Sequence, residues 1–307
     1  MSQKVLTTRQ AKNRINTFGI ALVIYVLLFT ILTNGIGMIS KFFPLLLKDY
    51  EPSLISYIGL NLLLLPITLI LFKVAESKLD LYLEDYYKKI EYTFGNILLY
   101  TCYAIGINLI TTSLMSLFSF IFSFRITDIS FLGKFNSSQL IMLNIAYFIY
   151  MIVTKPICDE FVFRGVIQRA LGKFGRYFGV LGSALLYAIS QGSLTAAIPA
   201  FFFGYYLSLI SLKYHSIRPT ILIQIIMALY FYLLNIIPQS LFFVIPISVI
   251  LIYTIIAFSV FSKHKDFNLD FLNVGNKQLW SILFTSKTII VTCFIFLLNM
   301  IMSFIKW

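Results

Sequence analysis

The sequence carries little charge for its length. Only 12% of its 307 residues are Asp, Glu, Lys or Arg, whereas soluble proteins carry about 25%. Hydrophobic residues make up 59% of the chain, and the mean hydropathy is +0.90. These values exclude an ordinary soluble enzyme or binding domain and predict an integral membrane protein.

Cysteine and histidine are also scarce. The three cysteines, Cys102, Cys158 and Cys293, lie in or beside apolar stretches without paired spacing, which argues against a disulfide framework or a CxxC site. The two histidines are His215 and His264, and the second lies between two lysines in a segment typical of an exposed basic loop. Because potential metal ligands are so few and so scattered, we expect no metal site and no cofactor.

Acidic residues number 12 against 24 lysines and arginines, which gives a net charge of +12. Such an excess can indicate nucleic-acid binding, but these basic residues are spread through short loops and do not collect on one domain. They group before the first apolar run, after the fourth, between the sixth and seventh, and after the eighth. The positive-inside rule predicts that these loops and the N-terminus are cytoplasmic. We therefore expect a lipid bilayer around the protein and no nucleic-acid partner.

Long apolar runs predict an all-α, polytopic transmembrane helical bundle with eight or nine spans, since a spanning helix needs about 20 largely apolar residues. The first run lacks the Ala-x-Ala cleavage site of a signal peptide, so we interpret it as a true span. No long linker or internal repeat divides the chain, which predicts a single membrane domain over residues 1–307. The candidate spans are 17–39, 53–74, 94–123, 138–158, 178–192, 194–212, 218–238, 240–262 and 285–305.

Two adjacent acids, Asp159 and Glu160, follow the fourth apolar run. A charge near the bilayer centre costs about 2.5–3.5 kcal/mol on insertion scales, so the pair needs a physical reason. In a helix, Glu160 and Arg164 lie on one face in the favourable order for an ion pair. Asp159 then points about 100° away, and we expect it to remain available. The pair is either ion-paired punctuation at a helix end or a reactive site whose burial tunes a carboxylate toward a general base.

The residues around this pair resemble a known family. Residues 159–165 read DEFVFRG, 183–191 read SALLYAISQ, and 203–206 read FGYY. In this order, over about residues 138–235, they resemble the CPBP (Abi) family of CAAX-type prenyl endopeptidases and bacteriocin-processing or self-immunity proteins. The family motifs are Glu-Glu-x-x-x-Arg, an aromatic residue followed after three others by His, and His followed after three others by Asn or Asp. The resemblance implies a CAAX-type prenyl endopeptidase-like core.

The chain departs from these motifs at the positions that the resemblance implies to be catalytic. The first acid is Asp159, one methylene shorter than Glu. Gln191 follows Tyr187 by four residues where the second motif has His, and Gln224 and Ala228 stand where the third motif has His and Asn. In active members the first Glu and the two His are held to activate a water, and the Asn to stabilise the oxyanion.

Glutamine keeps the hydrogen-bonding ability of the missing histidines but cannot exchange a proton near neutral pH. Positioned acid–base catalysis is worth roughly 10² to 10⁴ in rate. Glutamine is also a poor zinc ligand, so a two-histidine metal site is excluded at these positions. His215 precedes Gln224 by nine residues, about 14 Å along a helix, and is too far away to replace it.

The depth of the second motif predicts a shared polar cavity. Residues 178–191 extend only about 21 Å as a helix, less than the roughly 30 Å hydrocarbon core, so Gln191 is expected to lie inside the membrane. For the two glutamines, a helix-to-helix hydrogen bond is an equally good interpretation. The candidate catalytic residues are Asp159, Glu160 and Arg164, and the candidate cavity-lining residues are Tyr187, Gln191, Gln224 and Ala228.

Three functions remain open at this point. The first is a pseudoprotease that binds a peptide, a lipid-linked group or a membrane-protein partner without cleaving it, as a scaffold, regulator or immunity factor. The second is an active intramembrane endopeptidase in which Asp159 or Glu160 acts as the base. The third is a transporter with a charged pair in its path. The abundance of Ile, Lys, Phe, Tyr and Asn is typical of an AT-rich bacterial genome, which predicts a cell membrane as the location.

Overall fold

The computed structural model describes residues 8–36, 52–81, 92–121, 137–236 and 277–304, and no strand occurs among them. The expected all-α class is confirmed. The helices of these residues are Thr8–Thr30 (α1), Pro52–Lys78 (α2), Phe94–Ile121 (α3), 137–172 (α4), Arg176–Ser190 (α5), Leu194–Tyr214 (α6), Arg218–Ile236 (α7), Lys277–Thr285 (α8) and Lys287–Phe304 (α9).

Five of these helices, α1, α2, α3, α4 and α6, are long and apolar enough to cross a membrane. The pair α8 and α9, bent by 63°, raises the number to six if it forms one broken span. The expected eight or nine spans are therefore not confirmed. Among the described residues, α5 and the apolar part of α7 are shorter than a full span, and the expected span 240–262 lies outside the described residues.

Helix α4 does not end at the acid pair, so the expected span 138–158 stops too early. The apolar span runs over Leu140–Gly172, and Asp159 and Glu160 lie inside it. Every residue of Glu160–Ile167 is buried, because the side chains after the pair pack against the other helices. The interpretation of the pair as punctuation at a helix end is therefore wrong.

Four π-helical stretches occur among the described residues: Leu60–Leu64 in α2, Tyr150–Thr154 and Glu160–Ile167 in α4, and Ile31–Gly35 directly after α1. Such turns insert an extra residue and occur frequently at functional sites. Asn61 joins the first two stretches: it donates to the carbonyl of Ala146 at 2.8 Å and accepts from the hydroxyl of Thr154 at 2.8 Å. The irregular part of α4 is thus held against α2 before the acid pair is reached.

Side-chain hydrogen bonds fix the relative direction of the helices. Gln168 donates to the carbonyl of Ser208 at 2.8 Å, and Arg164, one turn earlier, donates to the carbonyl of Gly204, so α4 and α6 run in the same direction. Arg14 and Lys173 both donate to the carbonyl of Leu79. The start of α1 and the ends of α2 and α4 therefore share one side of the bundle, which we call the basic face.

The surface of the spanning helices is apolar. Large side chains such as Leu62 (67% exposed), Ile70 (64%) and Leu114 (60%) point away from the protein, whereas Phe18, Phe72 and Phe163 are fully buried. Exposed leucine and isoleucine at this density would be unfavourable in water and suit contact with lipid tails. The pattern matches a multi-pass membrane protein.

Helices α4 and α5 approach each other closely at Gly179. A Cβ atom on this residue would lie 2.7 Å from the carbonyl oxygen of Gln168 and 2.8 Å from the Cα of Gly172. Both neighbours are backbone atoms and cannot rotate away. Glycine is therefore required for the antiparallel packing that places the second motif beside the first.

We predict that Gly179→Ala destabilises the protein by about 1–3 kcal/mol, because the added methyl group overpacks a backbone contact. The measurement is the free energy of unfolding in mixed detergent micelles. Gly95→Ala is the matched control, since a Cβ on Gly95, which is exposed in the first turn of α3, meets nothing within 4 Å. Equal stability of the two variants would contradict the close approach.

Candidate functional site

The centre of the bundle contains a buried ion pair on α4. Arg164 Nη1 lies 3.0 Å from Glu160 Oε1, and both side chains have no exposed surface. The expected pairing of these two residues is confirmed. Two isolated charges would be very costly at this depth, and their proximity offsets part of that desolvation.

Arg164 also makes two contacts with other helices. Its Nη2 donates to the carbonyl of Gly204 in α6 at 3.0 Å, and its guanidinium carbon lies 4.6 Å from the centre of the Tyr187 ring in α5. Gly204 makes this approach possible, because a Cβ there would lie 2.8 Å from Tyr187 Cδ1 and 3.2 Å from Arg164 Nη2. Arg164 thereby joins α4, α5 and α6.

Asp159 has two protein partners, contrary to the expectation from the helical wheel that it remains available. Its Oδ1 accepts a hydrogen bond from the Tyr25 hydroxyl of α1 at 2.8 Å, and its Oδ2 accepts one from Lys155 Nζ at 2.9 Å. Only 3% of its side chain is exposed. Each partner donates to a different oxygen of the carboxylate, so both oxygens are engaged.

Gln224 of α7 contacts the second acid. Its side-chain amide donates a short hydrogen bond to Glu160 Oε1, the oxygen that also pairs with Arg164. Gln224 is 5% exposed, and Ala228 lies one turn further along α7, on the same side. Gln224 therefore lies within hydrogen-bonding distance of Glu160, but its side chain is a neutral amide.

Gln191 belongs to a different local network. Its side-chain amide donates to the Tyr187 carbonyl at 3.2 Å and to the Ser190 hydroxyl at 3.4 Å, both in the last turn of α5. Neither acid is among its partners in the described part of the chain. The structure therefore brings together Asp159, Glu160, Arg164, Tyr187 and Gln224, and it places Gln191 at the end of its own helix.

The cluster is electrically balanced along one helix. Lys155 and Arg164 provide two positive charges, and Asp159 and Glu160 provide two negative charges. Each acid pairs with a base four residues away, one toward the start of α4 and one toward its end. Lys155 is the charged residue of this cluster that reaches the surface, with 26% of its side chain exposed.

Two members of the site, Lys155 and Tyr25, were not identified from the sequence. Lys155 precedes Asp159 by four residues, so the spacing rule that found Arg164 would have found it in the opposite direction. Tyr25 lies 134 residues before Asp159 in an ordinary apolar run, and nothing in its local sequence indicates the contact. Only the packing of α1 against α4 places it there.

Neither of the two histidines is among the described contacts of the site. His215 ends α6 in a left-handed conformation (φ 47°) and is exposed, while His264 lies outside the described residues. Within the described ranges, no group of three His, Cys, Asp or Glu side chains is placed to hold a metal ion.

Comparison with known families supports the motif assignment. Residues 141–230 match the family model for Type II CAAX prenyl endopeptidase Rce1-like proteins. The match covers 90 of the 307 residues, so this segment is similar to the Rce1-like family. A search of curated proteins found no match to the chain, and neither did a search of solved structures.

The Rce1-like segment begins inside α4 and ends inside α7. It includes the acid pair, Tyr187, Gln191, Gln224 and Ala228. Tyr25 lies outside it, so one of the two hydrogen bonds that engage Asp159 comes from a helix that the family match does not cover.

We predict strong coupling between Glu160 and Arg164. Arg164→Gln or Glu160→Gln leaves one buried charge without its partner, which costs about 3–5 kcal/mol. The double variant removes both charges, so its loss of stability should be much smaller than the sum of the single losses. Unfolding free energies of the parent, both single variants and the double variant give the coupling directly.

Lys12→Gln is the control for this cycle, because Lys12 is exposed near the start of α1 and its charge has no buried partner to lose. Strict additivity of the Glu160 and Arg164 substitutions would show that the ion pair does not stabilise the bundle.

Proposed function

We propose that this Rce1-like membrane protein is a pseudoprotease that binds a peptide or a membrane-protein partner without cleaving it, as a scaffold, regulator or immunity factor. The observation that carries the proposal is the state of Asp159, the residue at the position of the family's catalytic acid. Both of its oxygens accept hydrogen bonds from protein groups. A carboxylate that activates water must accept the water's proton, and here Lys155 and Tyr25 each donate to one of the two oxygens that would accept it.

The second acid supports the same conclusion. Glu160 is fully buried, and its Oε1 is shared by Arg164 and Gln224. Both contacts occupy the same oxygen of the carboxylate, and Arg164 neutralises its charge. Gln224 cannot relay a proton as histidine does. The cluster therefore has polar groups but no proton-transfer path of the kind that the family motifs imply.

A ligand would reach the buried cluster at Lys155. Its partial exposure connects the buried cluster to the surface of α4, whereas Glu160 and Arg164 are sealed. A positively charged amine with Asp159 beside it offers a polar contact for a peptide that enters from the bilayer. This contact would persist in a protein that has lost cleavage.

The alternative, an active intramembrane endopeptidase, has one observation in its favour. Glu160 Oε2 is buried without a hydrogen-bond partner among the described residues, so one oxygen of this carboxylate has an unused acceptor site. Glu160 would then act as the base in place of Asp159. The transporter alternative stays a prediction from the sequence.

The decisive experiment measures cleavage and binding of a farnesylated CAAX-type peptide by the full chain in phosphatidylcholine nanodiscs. We expect a photo-crosslinkable version of the peptide to label the protein saturably, while mass spectrometry detects no more cleavage than empty nanodiscs give. Gln191→His combined with Gln224→His should leave cleavage undetectable, because Asp159 remains engaged by Tyr25 and Lys155.

Turnover by the parent that Asp159→Ala or Glu160→Ala abolishes would overturn the pseudoprotease proposal. A gain of turnover in the double-histidine variant would favour a detuned enzyme instead. Cleavage and labelling both absent would count against a prenylated peptide and favour a membrane-protein partner. Thermal unfolding of each variant controls for loss of the fold.

We further propose that the basic face is cytoplasmic, in a cell membrane, with the N-terminus on the same side. The start of α1, the ends of α2 and α4, and the turn between α6 and α7 all carry basic side chains at this face. The positive-inside rule assigns such a face to the cytoplasm.

This orientation predicts opposite labelling of two introduced cysteines in intact cells. His215→Cys, in an exposed turn of the basic face, should react with a membrane-impermeant maleimide only after permeabilisation. Ser138→Cys, exposed at the start of α4 on the other side, should react without it. The parent, with its three native cysteines, gives the background, and the reversed pattern would refute the proposed orientation.

A further inference from the structure

The basic face contains a corner where positive charge accumulates around the end of α2. Arg14 Nη1 donates to the carbonyl of Leu79 at 2.9 Å, and Arg14 Nη2 lies 4.0 Å from Asp80 Oδ2. Lys173 Nζ donates to the carbonyls of Leu79 at 3.2 Å and Asp80 at 2.9 Å. Cationic side chains from α1 and from α4 thus both bind the end of α2.

More basic side chains surround this corner than acids can neutralise. The described residues at the start of α1 and in the turn from α4 to α5 contribute six cations: Arg9, Lys12, Arg14, Arg169, Lys173 and Arg176. The described acids near the end of α2 are Glu76, which is buried, and Asp80, whose side chain is 77% exposed. The sequence of 82–91 adds three acids and two lysines, which does not offset the excess.

The surroundings of this corner lower the pKa of Lys173. Loss of hydration beside the end of α2, followed by repulsion from Arg14, lowers the pKa of the Lys173 ammonium, and Arg169 adds to the effect. Asp80 acts in the opposite direction but does not cancel it. An anion bound at this corner would relieve the repulsion among these three cations.

The corner lies at the ends of two apolar spans, where a membrane-spanning protein is expected to meet lipid headgroups. The apolar spans of α2 and α4 end at Lys78 and Gly172, immediately before Asp80 and Lys173. Basic pockets between helices at the cytoplasmic surface commonly attract anionic headgroups, and each Lys or Arg near such a surface adds to the attraction. The positive charge of the corner and its position at the ends of the spans therefore both favour an anionic headgroup as the ligand.

We propose that Arg14, Lys173 and Arg169 form a binding site for the phosphate of an anionic phospholipid headgroup at the junction of α1, α2 and α4. The bound lipid holds the start of α1 against the end of α4. This contact matters for the buried cluster, because α1 carries the Tyr25 hydroxyl that engages Asp159. The site is independent of any cleavage activity.

The test is thermal unfolding of the full chain in nanodiscs of two compositions. Equimolar phosphatidylcholine and phosphatidylglycerol should raise the unfolding midpoint of the parent by roughly 5 °C over phosphatidylcholine alone, since a ligand that binds the folded state stabilises it. High salt should reduce the shift, because these contacts are partly exposed.

Lys173→Gln is the informative single variant, because glutamine can still donate to the carbonyls of Leu79 and Asp80 while it lacks the charge. Arg14→Gln with Lys173→Gln should remove most of the lipid-dependent shift. The charge-matched control is Lys73→Gln with Lys287→Gln, two exposed residues outside the corner, which should keep the parent's shift.

An equal shift in the test and control doubles would overturn the proposal, since general attraction to an anionic surface would then explain it. Absence of a shift in the parent would also overturn it. If inorganic phosphate in phosphatidylcholine nanodiscs reproduces the full stabilisation, the ligand is a free anion and the lipid assignment is wrong. If the test double does not fold, the same comparison is made with Lys173→Gln alone.

Discussion

The constraint on which the structure depends is the presence of four charges on one stretch of a membrane-embedded helix. Lys155, Asp159, Glu160 and Arg164 lie in the middle of α4, and two of them have no exposed surface. Buried charges are tolerated only when they are paired and hydrogen-bonded. The helices around α4 are arranged to meet this requirement: α1 provides Tyr25, α6 provides a carbonyl at Gly204, and α7 provides Gln224.

Small residues and irregular turns make this arrangement possible. Gly204 lets Arg164 and Tyr187 approach the α6 backbone, and Gly179 lets α5 lie against α4. The Ser183 hydroxyl donates to the carbonyl of Phe163 at 2.6 Å, inside the π-helical stretch that carries Glu160 and Arg164. Close helix contacts through small residues, with hydroxyl groups as hydrogen-bond donors, are typical of packing in membranes. The same close helix contacts therefore hold both the polar site and the bundle together.

The sequence predicts those features of the fold and the site that depend on local spacing or on bulk composition. The membrane class follows from the hydropathy, and the Glu160–Arg164 pair follows from the four-residue interval. The end of α4 was predicted too early, because an acid pair was treated as a boundary although the apolar pattern resumes after it. The engagement of Asp159 was missed, because Tyr25 reaches it across 134 residues through tertiary packing alone.

The retention of the acid pair does not by itself indicate catalysis. Once Arg164 is buried at the junction of three helices, its counter-charge cannot be removed cheaply, since breaking a buried pair costs more than the pair contributes. The histidine positions are under no such constraint. At the Gln224 position, an amide can supply the hydrogen bond that a neutral imidazole would supply, and only proton transfer is lost. A protease core that no longer cleaves is therefore expected to lose its histidines first and to keep its carboxylates, and the proposed pseudoprotease is consistent with this order.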